Sequence, residues 1–99
     1  MNPNEQPDLK LQDVVEVEGI RYLVSTIKME VRHAWLNQNS YVKVYETIVF
    51  EKENGQVQYD KVICNKRYTT YKCAVDGHAA TIKNLPNIIK ACNAARESM

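Results

Sequence analysis

The chain predicts an α+β domain: three or four antiparallel strands, followed by two helices packed on one face of the sheet. Three observations predict it. Between Asp13 and Cys64 apolar and polar residues alternate with the period of two that belongs to a strand. From Tyr71 onward the apolar residues recur at three and four positions, the repeat of a helix. Turn clusters at Gly19, at Asn37-Gln38-Asn39-Ser40 and at Asn54-Gly55 cut the first part into strand-length pieces. An open sheet must cover one face, and the two helices are the cover the chain offers.

Residues 1–11 read as a flexible tail, because the first seven are polar and include two prolines. The single domain then runs over 12–99. Asp13 to Glu18 is a short strand with Val15 and Val17 on one side, closed by a turn at Gly19. From Leu23 the alternation is clean. Ile27, Met29 and Val31 share one face, Lys28, Glu30 and Arg32 the other, and His33 and Trp35 continue the apolar parity. Tyr41 to Lys52 is rich in β-branched and aromatic residues, with Val42, Val44, Ile48 and Phe50 on one side and Tyr41, Lys43, Tyr45, Thr47 and Val49 on the other. Such a strand suits the middle of a sheet. Asn54-Gly55 tolerates the positive φ angles of a tight hairpin. Gln56 to Cys64 returns with Val57, Tyr59 and either Val62 or Cys64 inward, and its uneven parity points to a bulge.

Tyr71, Ala74, Val75, His78, Ile82 and Leu85 form the stripe of a first helix, with Thr69 or Thr70 as its N-cap. Asn84-Leu85-Pro86 ends it, since the residue before a proline avoids helical angles. Pro86 suits the first turn of a second helix, whose stripe is Ile88, Ile89, Cys92 and Ala95. The stripe from Tyr71 to Leu85 is expected to dock on the sheet face that bears Ile27, Met29 and Val31.

At 99 residues the chain can close one hydrophobic core and hardly a second. No apolar run approaches the roughly 20 residues that span a bilayer, so no membrane partner is expected. Three cysteines, Cys64, Cys73 and Cys92, are odd in number and widely spaced, which makes a poor disulfide framework and suits a reducing, cytoplasmic setting. With His78 they include the ligand types of a zinc site, yet no Cys-x-x-Cys pair is present, and buried free thiols fit the pattern better. No metal and no cofactor is implied. Residues 1–60 carry six Lys/Arg against ten Asp/Glu, whereas 61–99 carry seven against two. Either the two halves attract one another, or the second half offers a basic surface.

Several short blocks stand in a fixed order: Val24-Ser25-Thr26, His33, Tyr45-Glu46-Thr47-Ile48-Val49-Phe50, Arg67-Tyr68-Thr69-Thr70, Ala74 and Gly77-His78. In that order they resemble a group of small uncharacterised proteins of tailed phages and prophages, with the pattern V-S-T-[VI]…D-H…[YF]-E-T-M-V-F…R-Y-x-T…A…G-H. The likeness covers about residues 20–83. Arg32 stands where the group has an acid, Ile48 where it has methionine, and Tyr71-Lys72 where its helix begins with acidic residues. The resemblance implies a phage origin and a bacterial host cytoplasm, and it implies no mechanism.

Four residues are candidates for a functional or buried polar cluster: His33, Glu46, Arg67 and His78. Both histidines fall on apolar parities, so a helix packed on the sheet would bring them together. A histidine on an apolar face is more often a packed residue with one or two hydrogen bonds than a ligand or a base. Glu46 shares the parity of Val44 and Ile48, and a carboxylate placed there needs a partner; Arg67 and His78 are the candidates. Gly77 costs a helix about 1 kcal/mol relative to alanine, which points to a close approach at that position. Lys66, Arg67, Tyr68 and Lys72 mix bases with aromatics, the ingredients of a single-stranded nucleic-acid contact. No Gly-x-Ser-x-Gly elbow, phosphate loop or zinc-finger spacing is present.

The expectation is therefore a non-enzymatic phage or prophage accessory protein acting by protein–protein contact. Its partner is a phage or host protein or a second copy, and the tyrosines at Tyr41, Tyr45 and Tyr59 are candidate contact area. The alternative is a nucleic-acid-binding module built on residues 61–72. A metal or hydrolytic site centred on the histidines ranks below both.

Overall fold

The computed structural model describes residues 8–32 and 41–97. Four strands, β1 (Lys10–Val17), β2 (Ile20–Arg32), β3 (Tyr41–Glu53) and β4 (Gln56–Tyr68), are followed by α1 (Tyr71–Lys83) and α2 (Leu85–Glu97). The sheet is an antiparallel meander in the order β1-β2-β3-β4. Strand β1 begins at Lys10, two residues inside the expected tail. Its start is anchored: the Lys28 amide donates to the Leu9 carbonyl at 3.2 Å, and Lys28 Nζ meets Asp8 at 2.7 Å.

Two tight turns set the register. Glu18 and Gly19 have φ of 51° and 82°, and Asn54 and Gly55 have 54° and 79°. Paired positive φ angles give the two-residue hairpin whose twist matches that of its strands. The strand pairings align one transverse row, Asp13–Val24–Val49–Cys64. Toward the β3–β4 turn the register slips between Val49 and Phe50 and again between Phe50 and Lys52, the bulge that the uneven parity predicts.

The helices cover the face formed by Val15, Val17, Tyr22, Val24, Thr26, Tyr45, Thr47 and Val49. Tyr22, Val24, Val49, Leu85 and Ile89 make the buried core, with Val15, Val17, Ile63, Cys64 and Ile82 packed around them. This corrects the expected docking face. Ile27 and Met29 lie on the opposite side, as do Val44, Ile48 and Phe50. Both sides of β2 and β3 are apolar, so period-two alternation cannot say which one is covered. The covered side is the one where Tyr22, Thr26, Tyr45 and Thr47 can pack their apolar parts while their polar tips find partners.

Helix α1 starts where Thr70 Oγ1 accepts the Cys73 amide at 3.1 Å. It ends at Asn84, whose amide donates to the Ala80 carbonyl. Pro86 sits in the first turn of α2, where a missing N–H costs nothing. Ala74 and His78 are the buried residues of α1, and Tyr71 turns its ring edge to Tyr45 at 6.1 Å between centroids. Tyr45 is thus fully buried under α1 and offers no contact area. The β1–β4 sheet is longer than its cover, and the molecule measures 45 × 30 × 23 Å.

Candidate functional site

The buried polar residues form one chain across three elements. His78 projects from α1 onto the sheet, where its Nδ1 lies 2.7 Å from Thr26 Oγ1 on β2. Thr26 Oγ1 in turn lies 2.5 Å from Thr47 Oγ1 on β3. On the other side of the ring, Nε2 lies 2.7 Å from Asp13 Oδ2 on β1. The Asp13 carboxylate only accepts, so Nε2 carries a proton. With the ring neutral, Nδ1 then accepts from the Thr26 hydroxyl, and Thr26 accepts from Thr47. Every buried polar atom of the described side chains has a partner. The relay ties α1 to the three strands beneath it.

A hydroxyl, an imidazole and a carboxylate in series resemble the working parts of a hydrolase triad. The burial forbids that chemistry at Thr26. Its side chain is 0% exposed, beneath α1, and a nucleophile must reach its substrate. Asp13, half-exposed at the edge, is the only end of the relay that meets solvent.

Glu46 lies on the opposite face and is held there by Arg67 Nε at 3.3 Å and by Asn65 Nδ2 at 3.4 Å. Its side chain is 8% exposed against 57% for Arg67, so the carboxylate is largely desolvated while the guanidinium still reaches water. Of the four residues expected to cluster, the structure therefore joins Glu46 with Arg67 and sets His78 apart on the other side of the sheet. His78 takes Thr26 and Asp13 as partners instead of Glu46. His33 lies outside the described residues.

The basic-aromatic segment is divided in the same way. Lys66 and Tyr68 face the helix side, with Lys66 Nζ 5.6 Å from the Tyr68 ring centre, whereas Arg67 faces the open side. Lys72 pairs with Asp76 at 2.8 Å on the exposed flank of α1. The Tyr68 ring lies directly over Gly77, and a Cβ there would overlap it. That is the close approach the helix glycine implies.

Cys64 and Cys92 are half-buried and Cys73 is exposed. Burial, with a smaller contribution from the neighbouring Cys92, pushes the Cys64 thiol above its ordinary pKa. Among the described residues no three His, Cys, Asp or Glu side chains converge as metal ligands. The hollow between the β1–β2 turn and α2, lined by Val17, Pro86, Ile89 and Lys90 among others, contains no buried charged group.

The relay partners Asp13, Thr26 and Thr47 were not singled out from the sequence. A signal existed for two of them. Thr26 and Thr47 lie within the ordered blocks, on the parity of Val24 and Val49. In the fold those blocks meet one another: Thr26 bonds Thr47 and His78, Glu46 bonds Arg67, Tyr68 covers Gly77, and Thr70 caps the helix that carries His78.

The other notable surface is the sheet face away from the helices. Leu23, Ile27, Met29, Val44, Ile48 and Phe50 occupy its centre, with Val14, Val62 and Tyr59 around them. Val14 is 53% exposed, Val62 42% and Ile27 38%. No described helix or strand packs on this face. No family model, curated protein or solved structure matches the chain.

Proposed function

We propose that this chain is a small, non-enzymatic accessory protein of a phage or prophage, working in the host cytoplasm by protein–protein contact. The observation that carries the contact reading is the largely apolar face of the β1–β4 sheet on which no described helix or strand packs, with Val14, Val62 and Ile27 exposed on it. Contiguous apolar surface of several hundred Å² on a soluble domain marks a place where another surface docks. The phage setting rests on the resemblance carried by the ordered blocks. The non-enzymatic reading is supported by the inaccessibility of Thr26, which is 0% exposed.

A nucleic-acid module draws less support. Lys66 and Arg67 point to opposite sides, Arg67 is engaged by Glu46, and Lys72 by Asp76.

The test is capture of partners from cells producing the protein, using wild type and Ile48→Arg side by side, with circular dichroism showing that both fold. A defined partner or self-association that is present with wild type and absent with Ile48→Arg is the expected result. Equal recovery by both removes the open face from the reading. Salt-sensitive binding of single-stranded DNA or RNA that weakens with Lys66→Ala would replace it with the nucleic-acid module.

A further inference from the structure

We infer that the occupant of the open face is a second copy of this chain, stacked face to face about a two-fold axis that runs across the strands. This deepens the contact reading and rests on it. Two arguments select a second copy, the first of them area. At about 4.8 Å between strands and about 3.3 Å per residue, a sheet of four strands presents roughly 19 Å by 40 Å, about 750 Å². A stable interface of standard size buries about 800 Å² on each partner. Two such faces pressed together make a β-sandwich whose inner layer is aliphatic.

The second argument is the placement of charge about the Asp13–Val24–Val49 row. Three residues to one side of that row lie Lys10 on β1 and Glu46 on β3, both level with Ile27; Glu46 is 8% exposed and already paired with Arg67 of its own chain, so Lys10 is the open charge of this row. Three residues to the other side lie Glu16 on β1 and Lys52 on β3, both level with Arg21. All four have the parity of the open face. A two-fold axis along the central row lays each row on the other: Lys10 over the second copy's Glu16, and Glu46 over its Lys52. Ile27 meets the stem of Arg21, and no like charges on β1 or β3 face each other. An isologous interface must be complementary to itself, and these signs are. A face built for a strongly acidic or basic partner would carry one sign instead.

The experiment is sedimentation equilibrium of the full chain between about 1 and 200 μM, with four variants. Ile48→Arg places a charge in the aliphatic centre and is expected to weaken the dimer at least a hundredfold. Ile20→Arg, an exposed apolar position of the other parity, is the control and leaves it within twofold. Lys10→Glu and Glu16→Lys each weaken association several-fold, and the double reversal restores it. A readout that needs no variant is solvent paramagnetic relaxation of the Ile27 and Ile48 methyl groups. They are shielded at high concentration and exposed at low.

A wild-type monomer at 200 μM overturns the second copy. So does a dimer indifferent to Ile48→Arg, and failure of the double reversal to recover association overturns the two-fold arrangement. A monomer whose Ile48 methyl group is shielded overturns it too, and gives the face to another part of the same chain. The contact reading has a separate fate: a monomer that still loses a defined heterologous partner with Ile48→Arg keeps that reading and loses this inference.

Discussion

Replacing Thr26 by valine tests the buried relay with little change of volume. Thr26 is 0% exposed, and its one hydroxyl serves two neighbours, Thr47 at 2.5 Å and His78 Nδ1 at 2.7 Å. Valine leaves both without a partner in a site closed to water. A buried polar group left unsatisfied costs about 1–3 kcal/mol. Two such groups, offset by the added methyl contact, give a loss of about 3 kcal/mol. In a domain of this size that lowers Tm by about 10–25 °C, at roughly 4–8 °C for each kcal/mol. Thr47→Val removes the terminal donor only, Thr26 keeps its bond to His78, and the cost falls to about 1 kcal/mol.

Replacing Thr26 by Val, Thr47 by Val and His78 by Leu together removes all three buried polar side chains of the relay. It recovers most of the loss, since an apolar set of similar shape leaves no buried group unpaired. Urea unfolding followed by circular dichroism measures the series, with constant slopes showing that the midpoints report stability. Equal effects of Thr26→Val and Thr47→Val, or a cost below about 0.5 kcal/mol for Thr26→Val, would refute the directional relay.

Further outcomes follow from other contacts. Gly77→Ala improves helix propensity by about 1 kcal/mol yet drives a Cβ into the Tyr68 ring; the net is a destabilisation of about 1 kcal/mol or more that a Tyr68→Leu background removes, and additive effects in the double-mutant cycle would contradict the contact. Arg67→Ala strands the desolvated Glu46 carboxylate and costs about 1–2 kcal/mol, whereas Glu46→Gln is close to neutral in the same urea assay; the reverse ranking would show that the pair is not what holds Glu46. Burial raises the Tyr45 hydroxyl above its ordinary 10.0, and Asp8, Glu53 and Asp76 hold the Lys28, Lys61 and Lys72 ammonium groups above 10.5. Groups whose pKa is raised by folding contribute stability that is complete below the unfolded value and is lost as pH climbs through the folded one. The urea midpoint therefore declines above about pH 10, less steeply in Tyr45→Phe, and an unchanged slope in that variant would count against the burial of Tyr45.

Much of the fold could be read from local patterns. Asn54-Gly55 fixed one hairpin, and Gly19 announced the other without revealing that Glu18 would share its positive φ. Thr70, Asn84 and Pro86 marked the helix ends because caps and breakers act within a few residues of themselves. The bulge in β4 showed as a lapse in parity. Asp13 gave no warning of its role, since its partner His78 lies 65 positions away. Glu46 advertised its need for a partner, yet its parity could not tell Arg67 on its own face from His78 on the other.

By itself, then, the sequence determined the elements, their order, the helix ends and the residues that alternate along each strand, because those depend on backbone preference and on periods of 2 and 3.6; β1 and β4 run further than it indicated, from Lys10 and to Tyr68. Only the tertiary structure decided which of two apolar sheet faces the helices cover. Packing volume and the pairing of polar tips make that choice, and neither leaves a local trace when Leu23, Ile27 and Ile48 look as fit for burial as Tyr22, Thr26 and Thr47. That choice put Thr26 and Thr47 beneath His78 and left the other apolar side of the sheet with no described helix over it.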